Sequence, residues 1–251
     1  MDEERAALIE EHAALDTLVS GLTPEQWRLP SACAGWDLAD VLVHLSQTDG
    51  MAVASLEGRM TGFLTERLEG LAPAPSIDDS AAAMVANERP ADGAAALERW
   101  RAASRAVDAG LAAIEPRARV TWVAGTLTAR TLAVTRLAEC WIHAGDVAAG
   151  LGVSLAPTDR LRHISRLAWR TLPHAFGREG LTMTGPVAFH LTGPGGVGWD
   201  LVPDEPATTI VAGTAADLCA VASRRVASDA TDLVATGPDA AAVLALVRTW
   251  A

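Results

Sequence analysis

Apolar residues recur at helical spacing in four long stretches of the N-terminal half. Leu8, Leu15, Val19 and Leu22 form one stripe and predict a first helix over residues 3–20, with His12 on the same stripe as a boundary or pocket residue. Thr23, Pro24 and Gln26 then make a capping box for a short turn ending near Trp27. After a loop from Pro30 to Gly35, Asp37 caps a second helix, D-L-A-D-V-L-V-H-L. Val41, His44, Thr48 and Met51 share one of its faces, beside an apolar stripe of Leu38, Leu42 and Leu45. Pro73 and Pro75 interrupt the pattern between 71 and 91, where a short helix has no clear bounds. From 92 to 115, Leu97, Trp100, Val107, Leu111 and Ile114 predict a third long helix, stopped by Pro116. V-T-W-V at 120–123 reads as extended. Thr128 caps a fourth long helix that ends at Gly150 and Gly152. Four such helices with antiparallel connections predict an up-down bundle.

The texture changes after Gly152. One more helix is expected over 158–172, and then β-branched residues, glycines and prolines take over. V-A-F-H-L-T at 187–192 and V-G-W-D-L-V at 197–202 flank G-P-G-G and read as a hairpin, the glycines as a turn. T-I-V-A at 209–212 is a further strand. Thr214 starts a helix to about Arg225, Leu233 to Ala235 can be another strand, and 238–249 a closing helix. The predicted class is α+β and mainly helical, with a four-helix-bundle domain over 1–154 and a smaller α/β domain over 155–251.

Composition narrows the function. The chain has 251 residues, half of them hydrophobic, enough for a real core in each part. A formal charge of -11 argues against nucleic acid, which needs clustered positive charge. No apolar run is long enough to span a membrane, and the start M-D-E-E-R is acidic, so a cytoplasmic protein is expected. Every basic residue is Arg and there is no Tyr, which removes Schiff-base lysines and tyrosine acids from the mechanism. Any anion clamp must be made of Arg. Cys33, Cys140 and Cys219 are scattered without C-x-x-C spacing and read as reduced, packed thiols.

The chemistry concentrates in R-L-A-E-C-W-I-H-A-G-D-V, 136–147. Glu139 and His143 are four positions apart, so one helical face presents a carboxylate and an imidazole one turn apart. Cys140, Trp141 and Ile142 make the surroundings apolar, where an unpartnered carboxylate costs several kcal/mol. With His44 from the second helix, two His and one Glu make a donor set for a divalent cation with open coordination positions. Zinc suits it best, and Fe2+ or Ni2+ also fit. Asp146 can orient His143 or cap a neighbouring turn. Arg136 can hold Glu139 or lie at a solvated bundle edge. Trp36 and Trp141, flanking the ligands, read as packing residues.

G-W-D-L-A-D-V-L-V-H-L at 35–45 and R-L-A-E-C-W-I-H-A-G-D-V at 136–147, in this two-domain layout, resemble the DinB-like metalloenzymes of the mycothiol-dependent maleylpyruvate isomerase family. The resemblance implies a DinB-like bundle with a divalent metal, commonly zinc, at one end, held by His44, Glu139 and His143, and a smaller domain that closes the site. It also implies a catalytic arginine in D-L-C-A-V-A-S-R-R at 217–225, best matched by Arg225, with Arg224 adjacent.

The expected function is a metal-dependent isomerase or transferase. It would activate a low-molecular-weight thiol, mycothiol or a similar one, for addition to an electrophilic, carboxylate-bearing small molecule. Two alternatives stand beside it: a thiol-independent zinc hydrolase, lyase or cyclase acting by Lewis-acid chemistry, and a metal-stabilised carrier of a small molecule. Monomer and homodimer are both open.

Overall fold

The computed structural model describes residues 1–123 and 125–249. The chain forms two compact units, 1–155 and 156–251.

The first unit is built on helices α1 (Asp2–Val19), α2 (Leu38–Leu56), α5 (Gly93–Ala113) and α6 (Ala129–Leu151). Helix α2 packs on α5 and α6, and α1 packs on the same two, so the four form a closed ring in which α1 and α2 lie on a diagonal. That order makes α2 and α6 neighbours although they are far apart in sequence. The shared core gathers Leu15 and Val19, Leu38, Leu42 and Leu45, Leu97 and Trp100, and Cys140, Ala144 and Val147.

Helix starts follow local chemistry. Thr23 and Gln26 exchange hydrogen bonds around the turn that buries Trp27. The Asp37 carboxylate accepts from the Asp40 amide at 2.9 Å while Asp40 accepts from the Asp37 amide, a reciprocal box. Asp92 and Thr128 cap α5 and α6 through the amides of Ala95 and Thr131. Helix α6 stops where Gly152 turns left-handed, at φ 67°.

The stretch between α2 and α5 contains two helices, α3 (Met60–Leu68) and, within the interrupted region, the expected short helix α4 (Ile77–Asn87). The first was not evident in the sequence, where only Met60 is buried. Ile114, expected to face inward, lies just past the end of α5 and is only half-buried. V-T-W-V belongs to a hairpin, β1 (Arg119–Trp122) pairing antiparallel with β2 (Gly125–Thr128).

In the second unit, α7 (Leu161–Arg178) runs past the expected end at 172 and carries Pro173 inside it. Proline removes one helical hydrogen bond, but Leu172, Ala175 and Phe176 are buried on either side of it, and that packing continues the helix. The sheet has the order β4-β3-β5-β6, with β3 (Val187–Thr192), β4 (Gly198–Leu201), β5 (Thr209–Thr214) and β6 (Val234–Thr236). Strands β3 and β4 are the expected hairpin, turning through Gly195 and Gly196 at positive φ. Strand β5 pairs parallel to β3, from Val187 with Thr209 to Thr192 with Thr214. Helix α8 (Ala215–Ala222) ends three residues before Arg225, and α9 (Ala240–Leu246) closes the unit. The class is α+β and mainly helical, as the periodicity indicates. Among the described residues no helix is long and apolar enough to cross a membrane.

Candidate metal centre between helices α2 and α6

His44 stands two turns into α2, and Glu139 and His143 stand on successive turns of α6. The contact between these two helices brings together residues 95 positions apart: His44 Nε2 lies 2.9 Å from Glu139 Oε1. His143 Nε2 is 3.5 Å from the same oxygen. One donor atom from each of the three side chains lies within 4.8 Å of the others, and all three residues are buried.

Ligands about 2.0–2.1 Å from a tetrahedral zinc ion are about 3.3 Å apart. The two separations to Glu139 bracket that value and the third lies within 4.8 Å, a spacing that fits a divalent cation. Two nitrogens and one carboxylate oxygen are also the donor types of open, catalytic sites.

The electrostatics point the same way. Burial by itself would raise the Glu139 pKa, but hydrogen bonds with His143 and His44 and the charge of Arg136 hold it well below the usual carboxylate range. Burial would likewise lower His143, yet Asp146, Cys33 and Glu139 together hold it well above the ordinary histidine value. His44 is lowered, chiefly by burial, against the pull of Glu139. The pocket thus keeps Glu139 anionic and demands positive charge beside it. A proton on His143 meets that demand, and a cation would meet it equally.

Asp146 orients the site. Its Oδ2 is 2.9 Å from His143 Nδ1, which fixes the ring with Nε2 toward Glu139. Of the two readings of Asp146, ring orientation is the one the geometry carries. His44 Nδ1, by contrast, is buried without a partner among the described residues.

Arg136 acts on Glu139 through its charge. It is fully buried rather than at a solvated edge, and its guanidinium turns to α2, with Nε 2.9 Å from Asp49 Oδ1 and Nη2 2.9 Å from Thr48 Oγ1. This clamp joins α2 and α6 one turn away from His44 and Glu139. Nothing in the sequence flagged Asp49 as its partner.

The loop before α2 forms the rim. Ser31 ties it: the Ser31 amide donates to the Trp36 carbonyl at 2.9 Å, and the hydroxyl accepts from the Cys33 amide. The Ala32 amide donates to the Asp146 carbonyl, fastening the loop to α6. Trp36 thereby sits 5.0 Å from the His44 ring and 6.4 Å from the His143 ring, centroid to centroid. Its indole covers the imidazoles as well as packing on the core. Cys33, read from the sequence as a packing thiol, lies 3.1 Å from Asp146 Oδ2 and 3.7 Å from His143 Nδ1.

Arg225 lies in the second unit, in the turn after α8, exposed, with its Nη1 3.2 Å from the Ser223 carbonyl. Arg224 beside it is also exposed and takes a left-handed φ of 61°.

The fold and the bundle motif agree with comparisons to known proteins. Two relatives from Mycobacterium tuberculosis, described as the uncharacterized proteins Rv0036c and MT0041, are each 33% identical over 239 residues, 94% of this chain and 91% of theirs. The crystal structure of a mycothiol-dependent maleylpyruvate isomerase has the same fold, with a TM-score of 0.62 at 16% identity over 92% of both chains. A histidine-to-alanine variant of such an isomerase gives 0.61 at 17% identity over the same shares. A family model described as the mycothiol maleylpyruvate isomerase N-terminal domain matches residues 8–148, the stretch that contains all three converging donors. On that match, the chain belongs to the mycothiol maleylpyruvate isomerase N-terminal domain family.

Proposed function

We propose that the protein is a divalent-metal-dependent enzyme that activates a low-molecular-weight thiol of the mycothiol type for addition to an electrophilic small molecule, ending in isomerisation or S-transfer. The observation that supports this reading is the meeting of His44 Nε2, Glu139 Oε1 and His143 Nε2 in one buried pocket. Family membership and the activity of the structural relatives supply the thiol and the isomerase class to this reading.

His44, Glu139 and His143 would hold the cation, with zinc favoured by the donor set. When bound, such an ion lowers the pKa of a coordinated thiol and so makes a nucleophile available at neutral pH. The chain's own residues do the rest. Asp146 keeps the His143 ring aimed at the donor centre. The Arg136–Asp49 pair holds the two helices at fixed separation. Trp36 shields the histidines from water. The chain has no lysine and no tyrosine, so the centre would activate the thiol without a base of either kind. Arg225 is proposed as the partner of a substrate carboxylate, because a guanidinium matches it in two parallel hydrogen bonds.

The test is elemental analysis of the purified protein and of its E139Q variant, followed by turnover of an electrophilic unsaturated dicarboxylate with and without mycothiol. About one divalent ion per chain, lost in E139Q, with turnover that needs the thiol, is the expected result. Metal content unchanged by E139Q would remove the site, and thiol-independent turnover would remove the thiol.

A further inference from the structure

His143 is approached by donors from both sides of its ring. Its Nε2 edge faces Glu139 and belongs to the centre described above. Its Nδ1 edge faces a second group, Cys33 Sγ and Asp146 Oδ2, whose donor atoms also lie within 4.8 Å of one another. We infer that Cys33 Sγ, His143 Nδ1 and Asp146 Oδ2 form a second cation position, for a soft divalent ion such as cadmium, cobalt or zinc, which competes with the first position for His143.

The spacing supports it. A tetrahedral zinc with sulfur at about 2.3 Å and nitrogen or oxygen at about 2.0 Å places sulfur about 3.5 Å from either light atom, and the light atoms about 3.3 Å from each other. The observed separations are 3.7 Å for sulfur to nitrogen, 3.1 Å for sulfur to oxygen and 2.9 Å for nitrogen to oxygen. Shifts of a few tenths of an ångström complete the set. Asp146 and His143 are buried on a rigid helix, while Cys33 is half-buried on the rim loop, leaving solvent to fill the open position.

Proton accounting is simple. On binding, the Cys33 thiol gives its proton to solvent and its sulfur donates to the ion. His143 likewise releases its Nδ1 proton to solvent and keeps the one on Nε2, which faces Glu139 Oε1 at 3.5 Å. A neutral imidazole has one lone pair to give, so the two positions cannot both use His143 in that form. Excess soft metal would therefore disarm the first centre by taking its histidine. The second position binds independently of what the first one catalyses, and only the competition rests on the function proposed above.

Cobalt(II) distinguishes the two, because only the second position gives a near-ultraviolet sulfur-to-cobalt charge-transfer band. In the wild-type chain this band is expected only after the first equivalent, when weaker visible bands have already developed. In the H44A variant, or in E139Q should H44A not fold, it is expected from the first equivalent. In C33S it should be absent at every ratio while the visible bands remain. A chain that never shows the band in H44A or E139Q, or that keeps it in C33S, overturns the inference. The two positions fail separately: missing visible bands in C33S count against the first donor set, a missing charge-transfer band in H44A against the second.

Discussion

Arg136 and Asp49 form an ion pair from which solvent is excluded on both sides, each side chain being 1% exposed, with Nε 2.9 Å from Oδ1. Such a pair is costly to assemble and costly to break, because removing one partner strands a charge in the core. D49A should destabilise the chain by about 3–5 kcal/mol in urea denaturation. The double variant R136M/D49L, which replaces both charges with apolar groups, should recover most of that loss. Equal losses in the single and double variants would show that the pair contributes through something other than its charges.

Asp146 holds His143 by its Nδ1, so its removal should weaken binding of the proposed cation without unfolding the helix. D146A is expected to lower the affinity by about 10–100-fold, read by competition with a chromophoric chelator. Unchanged affinity would mean that the ring is held by packing alone.

His12 gives the acid side of the stability curve a definite sign. Burial against the bundle, with the Arg136 charge adding to it, lowers its pKa below the ordinary 6.5, while Asp49 and Asp108 offset part of the effect. Its ring also stands edge-on to Trp100 at 5.7 Å. The unfolded chain takes up a proton at a pH where the native ring is still neutral. Stability from this residue is therefore complete above about 6.5 and declines as the pH falls below it. The wild-type chain should lose unfolding free energy relative to H12L between neutral pH and pH 5, and parallel curves would contradict the assignment.

Gly150 is where α6 passes the rim loop. A Cβ there would lie 2.5 Å from the Pro30 carbonyl oxygen and 2.8 Å from Leu38 Cδ2. G150A should cost about 1–3 kcal/mol, seen as a lower Tm. Because Pro30 opens the loop that carries Cys33 and Trp36, the same variant should also raise the rate at which Cys33 is alkylated.

The three thiols should differ in reactivity. Cys140 is buried, and burial pushes the Cys219 thiol up to about 12, while Cys33 is half-buried on the loop. Native alkylation near neutral pH, followed by peptide mass spectrometry, should mark Cys33 and leave the other two for the denatured chain.

Much of this protein can be read along the chain because the forces responsible act over a few residues. Thr23 with Gln26, Asp37 with Asp40, and Thr128 with the Thr131 amide are each three positions apart, and the sequence locates all of these helix starts. The apolar stripes of α1, α2, α5 and α6 are periodic, so burial on one face follows from spacing alone. The three side chains that converge were legible as candidates too: Glu139 and His143 share a helix, and His44 stands out as a histidine on a patterned face.

Distance hid the rest. Arg136 meets Asp49 across 87 positions and Cys33 meets Asp146 across 113, and nothing in the residues near either one names its partner. The continuation of α7 through Pro173 and the parallel pairing of β5 with β3 were likewise decided by burial elsewhere in the unit. The sequence by itself determined which faces are apolar, where the helices begin and which side chains could bind a cation, since those depend on neighbours within a turn or two. The tertiary structure alone decided that α2 lies against α6, and thereby which carboxylate orients His143 and which thiol stands behind it. Such contacts arise only when distant segments bury a common core.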